Sequence, residues 1–134
     1  MHRVYLGLGA NLGDREDNIA SAIKKIGELI GSVVRQSALY ETEPWGFESD
    51  HQFINAAVAV DTTLTPHEVL AATQGIERTL GRTVKSADGV YHDRPIDIDI
   101  LMYDDITVDD DDLKIPHPHL YERDFVMRPL NEIK

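Results

Sequence analysis

The stretch R94-P-I-D-I-D-I-L-M-Y103 has the run of apolar residues expected of a buried strand, with Asp97 and Asp99 set among them. Side chains alternate across a strand, so Ile96, Ile98, Ile100 and Met102 are expected on one face and Asp97, Asp99, Leu101 and Tyr103 on the other. At the usual rise per residue the two carboxylates stand roughly 6.5 Å apart along the backbone. Like charges that close repel unless something positive lies between them. Two readings follow. Mg²⁺ takes carboxylate oxygen, keeps several waters and completes its shell with phosphate oxygens, so two aspartates suffice to hold it against a nucleotide. Alternatively this is a solvated face on which one aspartate pairs with a lysine or arginine. The strand alone leaves both open.

Outward from this strand, the chain alternates periodic segments with Gly and Pro punctuation. Val4 to Leu8 reads as a first strand, ending in the turn G9-A-N-L-G13. From Asp14 to Ile30, Ile19, Ala22, Ile23, Ile26, Leu29 and Ile30 recur at helical spacing, and Gly31 stops the helix. Val33 to Tyr40 and Phe53 to Val60 read as two more strands, joined by the loop T42-E-P-W-G-F-E-S-D-H51. T65-P-H-E68 is a capping box with Pro66 at the first helical position, which predicts a helix over 66–80 with Gln74 and Glu77 on one face. Residues 82–93 show no period and are expected to form a long loop. Asp104-Asp105 is expected to turn the opening strand into a partner at Ile106 to Val108. Helices separated by strand pairs predict a mostly antiparallel sheet covered by helices, a ferredoxin-like α+β sandwich.

With 134 residues the chain is expected to form a single domain, 1–134, and 42% apolar composition is enough for one core. There is no cysteine, hence no disulfide or thiolate metal site. No apolar run approaches the length that spans a bilayer and no signal sequence precedes the first strand, so a cytoplasmic protein is expected. Twenty-four acidic against 13 basic residues give a formal charge of −11. Such a field disfavours nucleic acid and anionic membranes as partners. An anionic ligand therefore needs local help, from a divalent cation or from the cluster Arg78, Arg82, Lys85 and Arg94.

Other motifs carry less. G7-L-G-A-N-L-G13 lacks the third glycine of a dinucleotide fingerprint, since Leu12 stands there. D104-D-I-T-V-D-D-D-D112 lacks calcium-loop spacing and reads as a solvated acidic hairpin. His117 and His119 have no zinc-type partner; the two prolines around them make a rigid extended segment in which His117 is a positioned hydrogen-bonding group.

Seven blocks, in order, resemble one family along nearly the whole chain: G9-A-N-L-G13, Y40-E-T-E-P-W-G46, F53-I-N-A-A57, the helix ending I76-E-R-T-L-G-R82, R94-P-I-D-I-D-I-L101, I115-P-H-P-H-L120 and R123-D-F-V-M-R-P-L130. The family is 6-hydroxymethyl-7,8-dihydropterin pyrophosphokinase of folate biosynthesis. The resemblance implies transfer of the β,γ-pyrophosphoryl group of ATP to the pterin hydroxymethyl oxygen, with release of AMP; a monomer is expected. It implies that Asp97 and Asp99 hold two Mg²⁺ ions and that Arg82 and Arg94 are catalytic, their guanidinium forks meeting phosphate oxygens. Gln74, Glu77, Arg82, Arg94, His117 and Arg123 match positions around the nucleotide, and Lys85 is expected to stand in for a second loop arginine that the family often carries and this chain lacks. Thr42, Trp45, Phe53, Asn55, Asp97 and Phe125 match positions around the pterin, with aromatic faces for the flat ring and Asn55 for its polar edge. The chain departs from the family at His92-Asp93, where a glycine and a small residue or proline usually precede the arginine. From the residues alone, a Mg²⁺-dependent sugar-nucleotide transferase and a non-catalytic ligand-binding module remain the alternatives.

Overall fold

The computed structural model describes residues 1–11, 14–42, 53–80, 96–118 and 123–134. Its elements run β1 (His2–Ala10), α1 (Arg15–Leu29), β2 (Gly31–Gln36), β3 (Tyr40–Thr42), β4 (Phe53–Thr62), α2 (Pro66–Thr79), β5 (Asp97–Tyr103), β6 (Val108–Asp109), β7 (Lys114–Ile115) and α3 (Asp124–Ile133). Five strands form one sheet in the order β2-β4-β1-β5, with β3 pairing β4 beside β2, and every pairing is antiparallel. The architecture is the expected α+β layer packing. No described helix is long and apolar enough to cross a membrane.

The helices begin where their caps place them. Asp14 accepts from the Asp17 amide at 3.0 Å and starts α1. At α2 the capping box is complete: Thr65 accepts from Glu68 N at 3.2 Å, and Glu68 accepts from Thr65 N at 2.9 Å. That backbone hydrogen bond holds the Glu68 carboxyl below its ordinary pKa. α1 passes almost directly into β2 through Gly31, where a Cβ would stand 2.0 Å from the Asp61 carbonyl oxygen. Only glycine permits β2 to approach β4 so closely.

One sheet face packs on α1 and α2. Val4, Leu6 and Leu8 of β1, Val58 and Val60 of β4, and Ile98 and Ile100 of β5 meet Ile19 and Ile26 of α1 and Val69 and Ile76 of α2. Burying a side chain of this size contributes roughly 1.5–3 kcal/mol, which makes this layer the main source of stability. α3 covers part of the other face, with Leu130 against Leu101 and Ile133 against Ala57 and Ala59.

Four expectations are corrected. The alternation along β5 fails after Ile100, because the register with β1 shifts between Tyr5 and Leu6. The extra residue sends Met102 toward Leu101 and α3, and Tyr103 into the α1/α2 core, where its hydroxyl donates to Leu64 O at 2.6 Å. The strand expected over Val33 to Tyr40 is two strands. At Ser37 the side-chain oxygen accepts from Ala57 N at 2.9 Å and interrupts the ladder between them. Val108 pairs with Ile115, and Asp109 with Lys114, rather than with β5. Asp104 takes a positive φ of 48° there, a turn conformation that aspartate tolerates. Finally, α3 occupies a segment read above without an element; its apolar spacing packs Leu130 on Leu101, and the helix carries Pro129 within it.

Candidate functional site

Register across the sheet assembles the site. Tyr40 of β3 pairs with Asn55 of β4, Asn55 with Gly9 of β1, and Gly9 with Asp97 of β5. One step along, Gly7 stands between Ala57 and Asp99. These residues lie on the face opposite α1 and α2, because their neighbours Leu8, Ile54, Ala56, Ile98 and Ile100 point into that core. Segments far apart in sequence thus contribute one row. Asn55 and Asp97 are separated by two strand spacings, roughly 10 Å, with a glycine between them.

Gly9 is required by what leans over it. A Cβ there would stand 3.0 Å from Asn55 Oδ1 and 3.5 Å from a Phe53 ring carbon. Asn55 and Phe53 are 5% and 7% exposed, so both are held rather than free to swing. A buried amide beside an aromatic edge suits a flat, polar heterocycle.

At the other end of the row Asp97 and Asp99 share a face, as the alternation predicts, and both are partly exposed. The Asp99 side chain keeps 32% of its surface, and His117 Nε2 lies 4.0 Å from Asp99 Oδ1. His117 is fixed by its backbone, whose N–H donates to Leu101 O at 3.1 Å. Two carboxylates on one strand face, flanked by glycines that add no bulk, fit a hard divalent cation that also takes water and phosphate oxygen.

Behind β5, Glu77 of α2 is only 2% exposed, and its Oε2 accepts from Ile98 N at 2.8 Å. Gln74 lies one turn earlier on the same helix and is partly exposed. Arg123 immediately precedes α3, 7% exposed, with its guanidinium 5.5 Å from the Phe125 ring centroid. The structure thus brings Phe53, Asn55, Asp97, Asp99 and His117 to one sheet face, sets Arg123 and Phe125 at the start of the helix over that face, and puts Gln74 and Glu77 in the opposite layer. Trp45, Arg82, Lys85 and Arg94, and the loop over 82–93, lie outside the described residues, and Thr42 is described only by its backbone on β3.

The acidic run after β5 is partnered within the fold. Asp109 receives Lys114 Nζ at 2.6 Å, and His67 Nε2 lies 3.0 Å from Asp110 and 3.4 Å from Asp112. The lysine holds the Asp109 carboxyl below its ordinary pKa. This is the solvated acidic hairpin expected. Two features escape the sequence patterns. Gly9 reads there only as part of a turn, and Tyr40 gives no sign that it reaches Glu132. The spacing of Val126, Met127, Leu130 and Ile133 is the available signal for the helix that carries Glu132.

Comparison with known proteins agrees along the chain. The sequence profile of the family described as 7,8-dihydro-6-hydroxymethylpterin-pyrophosphokinase (HPPK) matches residues 5–134. A protein of Porphyromonas gingivalis named 2-amino-4-hydroxy-6-hydroxymethyldihydropteridine pyrophosphokinase is 51% identical over 131 residues, covering 97% of this chain and 89% of that protein. A Bacillus subtilis protein of the same name is 42% identical over 130 residues, covering 96% of this chain and 76% of that one. Among solved structures, an HPPK-DHPS in complex with substrates superposes with a TM-score of 0.77 at 16% identity, over 98% of this chain and 40% of that chain. At that identity the likeness concerns the fold.

Proposed function

The chain belongs to the 7,8-dihydro-6-hydroxymethylpterin-pyrophosphokinase family, and on that premise we propose that it runs the family's reaction on the row Asn55–Gly9–Asp97. It is a pyrophosphokinase of folate biosynthesis that uses ATP as co-substrate. The hydroxymethyl oxygen of the dihydropterin forms a bond to the β-phosphorus of ATP and gives up its proton to solvent. The bond from that phosphorus to the oxygen bridging it to the α-phosphorus breaks, and AMP leaves.

Asn55 reads the polar edge of the pterin, with Phe53 and Phe125 meeting its ring and Thr42 and Trp45 completing the pocket. Gly9 leaves the space through which the ring's substituent reaches Asp97. Asp97 and Asp99 hold two Mg²⁺ ions, which when bound supply charge neutralisation at the phosphates and align the attacking and leaving oxygens. His117, 4.0 Å from Asp99 Oδ1, stands at the phosphate end of the row as a hydrogen-bond donor. Arg82 and Arg94 clamp the transferring phosphates in bidentate fashion, supported by Lys85 and Arg123. Gln74 lines the nucleotide. Small soluble substrates of this kind suit a cytoplasmic enzyme.

The observation that carries this reading is the register that puts Asn55 and Asp97 in one row with a side-chain-free position between them. The test is turnover of ATP with 6-hydroxymethyl-7,8-dihydropterin and Mg²⁺, read as AMP. AMP that depends on the pterin supports it. ATP consumption without pterin dependence, or none at all, removes it.

A further inference from the structure

Glu77 places an ionisable side chain where the fold has little room for one. It lies on the buried side of α2 with Val69, Thr73 and Ile76, and it is 2% exposed. Burying a carboxylate is costly unless hydrogen bonds to the charged form offset the loss of water. Such a bond comes from a backbone amide, Ile98 N to Glu77 Oε2 at 2.8 Å. Ile98 is the residue between Asp97 and Asp99.

β5 needs such a partner. It ends the strand path β2-β4-β1-β5, so β1 satisfies one of its edges and no described strand pairs the other. An outward amide at that edge, buried under α2, would lack a partner without Glu77. A carboxylate makes a shorter and stronger bond to it than a neutral acceptor would. Farther along, the Tyr103 hydroxyl bonds Leu64 O at 2.6 Å and ties β5 to the segment that leads into α2. α2 and the segment leading into it therefore hold β5 at two points, and the one nearer the row falls between the two aspartates.

We infer that Glu77 is a positioning residue. By holding the Ile98 amide it fixes the strand segment from which Asp97 and Asp99 project, and so the geometry they offer to divalent cations. This rests on the assignment of those aspartates as cation ligands, and it differs from a role for Glu77 in touching the nucleotide. Groups that orient ligands without touching the metal commonly change metal affinity or activity about 10- to 100-fold when replaced.

The test uses Glu77→Met, which fills the same space without a strong acceptor, and Glu77→Gln, which keeps an acceptor oxygen. Amide exchange at Ile98 is followed in the ligand-free full chain. Mn²⁺ binding in the presence of a nonhydrolysable ATP analogue, and the Mg²⁺ concentration giving half-maximal turnover, are measured beside it. In Glu77→Met we expect Ile98 exchange to quicken about tenfold and the cation requirement to rise about tenfold, with pterin KM unchanged. Glu77→Gln should stay within about threefold of the parent on each measure.

Unchanged Ile98 exchange and cation affinity with a raised ATP KM would overturn the inference in favour of direct nucleotide contact. So would a glutamine variant as impaired as the methionine one. If the methionine variant does not fold, the glutamine variant decides: retained Ile98 protection and cation affinity with an unchanged ATP KM support the inference, and a loss of either, or a raised ATP KM, overturns it. Failure of the underlying assignment looks different. Asp97→Ala with normal Mg²⁺-dependent turnover removes the metal reading, while Ile98 exchange in ligand-free protein still reports whether Glu77 holds the strand.

Discussion

The hydroxyl of Tyr40 donates to Glu132 Oε2 across 2.5 Å, joining the short edge strand β3 to the last turn of α3. Glu132 uses its other oxygen to accept from Ala38 N at 2.9 Å, and the Arg128 guanidinium lies 5.2 Å from the Tyr40 ring centroid. One carboxylate thus holds both the residue that leads into β3 and the ring at its start. β3 bears Thr42, and α3 bears Phe125 in its first turn. The pair therefore ties together the two elements that carry residues proposed above for the pterin end of the row.

Replacing Glu132 with Ala is expected to raise the pterin KM about tenfold and leave the ATP KM near its parent value, since the strand it frees pairs with β4 beside Asn55. A pH dependence accompanies it. The Tyr40 hydroxyl, and then the Ala38 amide, lower the Glu132 pKa below its ordinary value of 4.5. A carboxyl with a depressed folded pKa contributes stability that is present above the unfolded value and is lost as pH falls through the folded one. Melting temperatures should therefore drop more steeply with acid below about pH 4.5 in the parent than in Glu132→Gln. Tyr40 contributes on the alkaline side. Its pKa is raised, chiefly by the bond to Glu132, so its contribution is complete below pH 10.0 and fades as the phenol ionises above it. Equal acid limbs in the parent and the Glu132→Gln protein count against the linkage.

Gly9→Ala tests the close approach at the centre of the row. The new methyl would stand 3.0 Å from Asn55 Oδ1, tighter than ordinary contact, so the amide must move. Overpacking of this kind costs about 1–3 kcal/mol. We expect a small fall in melting temperature and a pterin affinity lowered more than that for ATP. A variant that binds pterin normally would show that Asn55 is not held against Gly9 in solution.

What was legible in the sequence followed from local period, and what was not followed from register. The two-residue alternation gives the shared face of Asp97 and Asp99, and the capping box gives the start of α2. Neither contains the row, because Asn55, Gly9 and Asp97 meet only through long-range pairing. No residue type marks the bulge that exchanges the faces of Met102 and Tyr103. Ser37 breaks a strand because its hydroxyl oxygen accepts from Ala57 N across the sheet, which the run of residues around it does not show. The reach of Glu77 to Ile98 is likewise a tertiary contact, invisible in the helix that carries it.

Asp97→Ala and Asp99→Ala should each lower turnover by at least about two orders of magnitude and leave the fold intact. Both side chains are partly exposed on the face away from the α1/α2 core, so their removal opens no cavity there. Without metal, loss of one of two neighbouring like charges should raise the melting temperature slightly. Circular dichroism and Mg²⁺ titrations of activity check both parts. Near-parental Mg²⁺-dependent turnover in both variants would mean that the cations are held elsewhere.

Asn55→Ala and Phe125→Ala separate the polar and the stacking contributions at the pterin end. Asn55 is 5% exposed and stands over Gly9, so alanine removes a directional partner from a buried site, and a pterin group left unpaired there costs about 1–3 kcal/mol. Phe125 is only partly buried, and loss of its ring removes a stacking face worth about 0.5–1.5 kcal/mol. The expected order is therefore a larger loss of pterin affinity in Asn55→Ala than in Phe125→Ala, with ATP affinity changed less than pterin affinity in both. Phe125→Ala carries an additional signature, because its ring also lies 5.5 Å from the Arg123 guanidinium. Freed from that contact, Arg123 should lose order and ATP affinity should fall modestly in this variant alone. Calorimetric titration of each ligand measures all four values. Equal losses for pterin and ATP in Asn55→Ala would point to a general loosening of β4 and against a direct role for its amide.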